Sequence, residues 1–204
     1  MFEKEQQVKE VLFFMKLKTD LVIMGSGMAG ISAADAALAR GKKVMVFEKK
    51  PYQGGAVSNC PIAYLSIRND KDFQNTAFHL LYEYSNYNAN PSVIRQYVNN
   101  SWRTKEYIER LGIKMIQTQK LELEDIGNPK YADGFPPAIM AHGDFYLVPG
   151  RGKGHGGALI CLNAMKDIIK RGGQYMLNTP ITDILVDENG KVNGVKAVNN
   201  ETKE

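Results

Sequence analysis

Three features of this sequence predict an α/β fold of the Rossmann-like type. An apolar run, Leu21-Val22-Ile23-Met24, leads directly into Gly25-Ser26-Gly27-Met28-Ala29-Gly30. An alanine-rich stretch then reads as a helix from Met28 to Arg40, stopped by Gly41. A second apolar run, Val44-Met45-Val46-Phe47, ends on Glu48. Strand, glycine turn, helix, strand and acid in this order form the fingerprint of a dinucleotide-binding β-α-β unit. Gly25 permits the tight turn, Gly27 lets backbone approach a pyrophosphate, and Gly30 lets helix and strand pack closely. The helix N-terminus adds free N–H groups and a partial positive charge. Gly25, Gly27, Ala29 and Gly30 are therefore expected to line a diphosphate. Glu48 stands 18 residues past Gly30, where a carboxylate accepts from ribose hydroxyls, with Lys49 beside it.

The segment after Glu48 departs from a nicotinamide-binding domain, which would pass directly into another helix. Instead Lys49-Lys50-Pro51-Tyr52-Gln53 precedes Gly54-Gly55-Ala56-Val57-Ser58. The glycine pair suits backbone lying close under an extended ligand; Pro51 also admits an ordinary loop. From about 60 to 150 an irregular insertion of helices and loops is expected. It holds a helix from Asp70 to about Tyr84 and a second one, Ser92 to Leu111, after Asn90-Pro91. The second places Ile94, Tyr97, Val98, Ser101, Ile108 and Leu111 on one face and ends at Gly112. Ile113 to Gln117 reads as a strand, and Gly127-Asn128-Pro129, Gly134 and Pro136-Pro137 mark irregular chain. Regular structure resumes at Gly156-Gly157 with a helix from about Ala158 to Arg171, turning Leu162, Met165 and Ile169 inward, and Gly172-Gly173 ends it. Gln174 to Leu177 is a short strand. Two apolar runs, Ile181 to Val186 and Lys191 to Val198, flank Asn189-Gly190 and predict a C-terminal β-hairpin.

Composition narrows the function. The chain is 44% apolar over 204 residues, enough for one domain, or for one domain with an inserted subdomain. Its 26 basic and 22 acidic residues leave a net charge of +4, and no basic tract points to nucleic acid. That surplus suits a diphosphate and an anionic substrate, or simply solubility. Cys60 and Cys161 form no zinc or C-x-x-C pattern and read as buried reduced thiols in a cytoplasmic protein. His79 and His142 lack partners at metal-ligand spacing, so no metal is expected. No apolar run approaches the roughly 20 residues of a transmembrane span. Residues 1–19 read as an N-terminal amphipathic arm, with Val8, Val11, Leu12 and Met15 at helical spacing.

The pattern E-K-x₄-G-G with a following serine, at Glu48-Lys49 and Gly54-Gly55-Ala56-Val57-Ser58, resembles the two-dinucleotide-fold flavoproteins. Most closely it resembles the fumarate reductase/succinate dehydrogenase flavoprotein family, loosely between Cys60 and Pro149 and more specifically elsewhere over residues 20–198. The resemblance implies that the ligand is FAD and the fold a Rossmann-like FAD-binding domain. Gly54, Gly55, Ala56 and Ser58 would then run along the diphosphate toward the flavin, with Gly157 also touching the cofactor. Ile181 would meet adenine through its backbone. Ser58-Asn59-Cys60 stand where membrane-complex relatives carry a flavin-linking histidine, which implies non-covalent FAD. The family continues past the hairpin into an A-T-G-G-type turn and a capping domain, which do not occur before Glu204. Residues 20–204 thus resemble the N-terminal portion, a partial FAD-binding domain without the cap and without the substrate-protonating arginine, so catalytic residues stay unassigned. By resemblance the intact enzyme transfers hydride to or from a C–C double bond of a small carboxylate or other activated alkene, with an electron-donor protein as a further partner. A non-catalytic dinucleotide-binding or interaction module, as a truncated product, is the alternative. His155, with Arg151 and Lys153 in a glycine-rich stretch, faces either the active site or solvent.

Overall fold

In chain order the elements are β1 (Leu21–Met24), α1 (Met28–Leu38), β2 (Val44–Phe47), β3 (Ile62–Ser66), α2 (Lys71–Tyr84), α3 (Pro91–Asn100) and α4 (Arg103–Arg110). There follow β4 (Ile116–Gln119), β5 (Asp144–Val148), α5 (Gly156–Lys170), β6 (Gln174–Met176), β7 (Ile181–Val186) and β8 (Val192–Ala197). The structure is a computed structural model that describes residues 16–60, 62–128, 143–148 and 156–203. It divides into two compact units. One comprises the described residues up to Gly55 with those from Met165 onward, and the other is Ala56–Ala164.

In the first unit the glycine turn leads into α1 and the chain returns as β2, which pairs with β1 in parallel. β6 adds to the other side of β2, also in parallel, giving the order β1-β2-β6. All four β2 residues are buried, as the centre of a helix-covered parallel sheet requires. α1 lays the fully buried Ile31 and Ala34 over β1 and β2. Arg171 fastens α1 from outside: its guanidinium pairs with the Asp35 carboxylate, donates to the Asp35 carbonyl at 3.1 Å and reaches Asp167 at 3.0 Å. β7 and β8 form the expected antiparallel hairpin. The Asp187 carboxylate closes its turn by accepting the Asn189 and Lys191 amides, each at 2.9 Å.

The second unit carries a sheet that the sequence reading missed. Its helices and loops are joined by an antiparallel sheet of order β3-β5-β4. The strand expected at Ile113 to Gln117 begins instead at Ile116, while Ile113 is buried ahead of it. Ile67, Phe73, Ala77, Val98 and Leu121 form the core, with Phe78, Leu81, Ile94 and Ile126 packed against it. The single helix expected from Ser92 to Leu111 is two helices, interrupted at Ser101-Trp102. There the Thr104 and Lys105 amides bond three residues back, to Ser101 and Trp102. The buried Ser101 hydroxyl accepts the Ile67 amide at 3.1 Å, a tertiary bond that periodicity cannot announce. Val98, Ser101, Ile108 and Leu111 are buried as expected, whereas Tyr97 is exposed.

α5 begins in the second unit and ends in the first. Its buried apolar side chains are Ile160, Cys161, Ala164 and Ile168 rather than Leu162, Met165 and Ile169. Adjacent stripes of this helix are both apolar, so helical spacing alone admits either face. Cys161 is buried, and Cys60, expected to be buried, is exposed. Of the arm at residues 1–19, residues 1–15 lie outside the described residues.

Candidate nucleotide-binding site

The turn after β1 is held at both ends by backbone. The Gly25 amide donates to the Phe47 carbonyl at 2.7 Å, and Gly25 adopts φ +92°, a conformation that strains any residue with a Cβ. A Cβ on Gly30 would lie 2.0 Å from the Gly25 carbonyl oxygen and 3.2 Å from Ile23 Cγ2, so this position has no room for a side chain. Gly27 faces Gly55, whose Cα would stand 4.0 Å from an added Cβ. Two glycine-bearing segments, at 25–30 and 54–55, are thereby brought to one place in the first unit.

Between the first two glycines sits Ser26, fully buried. Its amide and its hydroxyl both donate to Glu48 Oε2, at 2.9 and 2.8 Å. The same hydroxyl oxygen accepts the Gly54 amide at 2.8 Å. Glu48 Oε1 accepts the Lys50 amide at 2.9 Å. The backbone of Glu48 is fixed independently: its amide donates to the Met176 carbonyl and its carbonyl accepts the Thr179 amide, each at 2.8 Å. Glu48 is only 5% exposed, and both of its carboxylate oxygens accept hydrogen bonds. Burial pushes its pKa up, but the Lys50 and Ser26 amides, the Ser26 hydroxyl and the Lys50 charge outweigh it and hold the carboxyl below its ordinary value. A carboxylate offers about four lone-pair sites. Three are taken here, which leaves one on Oε1.

The N-terminus of α1 fits an anion. No side chain caps it, and among the described residues the Met28, Ala29 and Gly30 amides have no acceptor. Such amides with the helix dipole attract phosphate. The Gly25 and Ser26 amides, by contrast, are already committed to Phe47 and Glu48. These features fit an adenosine diphosphate moiety: an open row of amides, a Cβ-free surface at Gly27 and Gly55, and an ionised acceptor beside them.

The remaining expected residues are placed as follows. Lys49 is exposed beside Glu48. Ile181 opens β7, two residues past the Thr179 that bonds Glu48. Ala56 and Ser58 lie in a 3-10 turn, Ala56–Asn59, and Gly157 near the start of α5; all three belong to the second unit. There the Gly157 amide donates to the Cys60 carbonyl at 3.3 Å. His142, Arg151, Lys153 and His155 lie outside the described residues. Among the described residues no cluster of His, Cys, Asp or Glu could hold a metal, and no helix is long and apolar enough to cross a membrane. Ser26 was missed in the sequence; its signal is a hydroxyl between the two glycines of a turn that must meet an acid.

The model of the FAD-binding domain family matches residues 20–204. An NADH:fumarate oxidoreductase of Klebsiella pneumoniae (strain 342) is 26% identical over 189 residues, covering 89% of this chain and 18% of that protein. Solved structures share the fold. A 3-ketosteroid-Δ4-(5α)-dehydrogenase of Rhodococcus jostii RHA1 aligns with a TM-score of 0.69 at 18% identity, over 93% of this chain and 44% of its own. A flavocytochrome c3 fumarate reductase aligns at 0.68 and 16% identity, over 91% and 31%. A quinol fumarate reductase of E. coli aligns at 0.66 and 19%, over 90% and 29%. The chain therefore spans less than half the length of each of these relatives.

Proposed function

The chain belongs to the FAD-binding domain family, so FAD is its cofactor, and we propose that it is the cofactor-binding portion of a flavin-dependent oxidoreductase of the fumarate reductase/succinate dehydrogenase type. The observation that carries this reading is the Glu48 carboxylate, held ionised against the glycine turn with one lone pair free. In this reading Glu48 Oε1 accepts from the adenosine ribose. The Met28, Ala29 and Gly30 amides hold the diphosphate, with Gly25, Gly27, Gly54 and Gly55 supplying close, Cβ-free backbone. Lys49 adds positive charge nearby and Ile181 meets adenine. Ala56, Ser58 and Gly157 are assigned to the same cofactor on the sequence resemblance.

When bound, FAD supplies a flavin ring that takes up or gives up hydride. The reaction proposed for the intact enzyme delivers hydride to one carbon of an activated C–C double bond and a proton to the other, or runs in reverse. The relatives' names, on fumarate and on a ketosteroid, support this class. The substrate is a small carboxylate or another activated alkene, with a separate protein as electron donor. FAD is held non-covalently, so acid precipitation should leave it in the supernatant. A cytoplasmic setting suits the two unpaired thiols. A second reading, nucleotide binding without turnover, rests on one observation: every contact assigned here is to the cofactor and none to a reacting atom.

Titration with FAD, followed by flavin fluorescence, tests the proposal. Binding should be saturable and competed by ADP, while FMN, which lacks the adenosine, should bind far more weakly. Equal affinity for FMN, or NAD binding in place of FAD, would overturn it. Oxidation of a reduced dye on adding fumarate would then separate turnover from binding alone.

A further inference from the structure

We infer that Ser26 is a positioning residue for the cofactor: its buried hydroxyl locks the Glu48 carboxylate as a ribose acceptor and joins it to the Gly54-Gly55 segment. This rests on the reading of Glu48 as the sugar anchor. A serine hydroxyl has one proton to give. Here it goes to Glu48 Oε2 at 2.8 Å, while the oxygen accepts the Gly54 amide at 2.8 Å. The Ser26 amide adds a second bond to the same Oε2 at 2.9 Å. Oε2 is thereby saturated from the protein side, and the carboxylate can neither rotate nor offer that oxygen to a ligand. The free lone pair is confined to Oε1, so the acceptor is set before the nucleotide arrives. Preorganisation of this kind raises affinity by removing the cost of ordering on binding.

The hydroxyl also couples two segments distant in sequence. Without it, the Gly54 amide loses its acceptor, and Glu48 loses one of two donors to Oε2. Lys50 is the one charged group acting on Glu48 among the described residues; Met176 and Thr179 touch only its backbone. Loss of the hydroxyl therefore removes a donor that favours the ionised form, with only Lys50 left to compensate by charge.

The test compares Ser26→Ala, Ser26→Cys and Ser26→Thr, each alone and with Glu48→Gln, by FAD titration across pH. Ala and Cys should weaken FAD about tenfold, the scale of a lost hydrogen bond to a charged group. Thr, which keeps the hydroxyl, should restore affinity. In the Glu48→Gln background the Ala substitution should have little further effect. Affinity in the parent chain should fall as pH drops through the Glu48 pKa, and Ser26→Ala should move that fall to higher pH. An equal loss from Ser26→Ala with and without Glu48, or an unmoved pH profile, would reduce Ser26 to a packing residue and overturn the inference. If the parent chain binds neither FAD nor ADP, the functional reading fails, and the Ser26–Glu48 link is still read in the free chain. Glu48 is lowered in the folded state, so its stabilisation is complete above its ordinary value of 4.5 and is lost as pH falls through the folded value. Ser26→Ala should bring the acid limb of thermal unfolding to higher pH; a limb that stays in place contradicts the link.

Discussion

Gly27 and Gly30 have opposite reasons for lacking a side chain, and substitution separates them. A Cβ at Gly30 lands 2.0 Å from backbone, so Gly30→Ala forces the turn open and should cost about 1–3 kcal/mol on denaturation, the scale of overpacking, along with FAD binding. A Cβ at Gly27 meets only Gly55, at 4.0 Å, and its φ of −67° suits alanine. Gly27→Ala should therefore melt with the parent chain and still lose FAD, because the methyl occupies the phosphate approach. Matched losses of stability in both variants would refute that division. The thiols divide in a similar way. Cys161 is buried and pushed up to about 11 by that burial, whereas Cys60 is exposed. An aromatic disulfide reagent should titrate one thiol quickly in the folded chain and the second only after unfolding; two fast thiols would contradict the packing of α5. At this scale Gly25 and Gly30 were legible as turn residues because they share one short motif, and Glu48 because its offset from them is that of one β-α-β unit. Ser26 was not, since its partners lie 22 and 28 positions away and bond through side-chain atoms that no local pattern encodes.

Helix starts were readable wherever a side chain makes the cap. Asp70 accepts the Phe73 amide at 2.8 Å and Asn90 accepts the Ser92 amide at 2.9 Å ahead of Pro91, both local bonds with a residue signature. Asp70→Ala should cost about 1 kcal/mol in a denaturant titration, with Asp70→Asn recovering most of it. No difference between Ala and Asn would mean that the cap contributes nothing to α2. Interior features were less readable. At the break between α3 and α4 the Ser101 hydroxyl serves the Ile67 amide, a bond with no local signature, and the buried face of α5 is one of two apolar stripes that its own periodicity does not separate. The β7-β8 hairpin was legible from Asn189-Gly190, yet Ile184, Val186 and Val192 remain exposed on it, so alternation alone overstates burial there.

For the molecule as a whole, legibility followed sequence distance. The β-α-β half of the first unit is built from neighbours in the chain, and its motif, read first as a nucleotide site, leads to the FAD-binding family matched over residues 20–204. The second unit's sheet pairs Ser66 with Asp144 across most of that unit, and such a pairing leaves no local trace. The claim on which everything else depends is that FAD lies along the turn after β1 with its sugar at Glu48. Amide shift mapping of the ¹⁵N-labelled chain during FAD titration tests it most directly. The largest shifts are expected at residues 27–30 and at Glu48, and ADP alone should reproduce them. Saturable FAD binding that leaves those amides unmoved would contradict the claim.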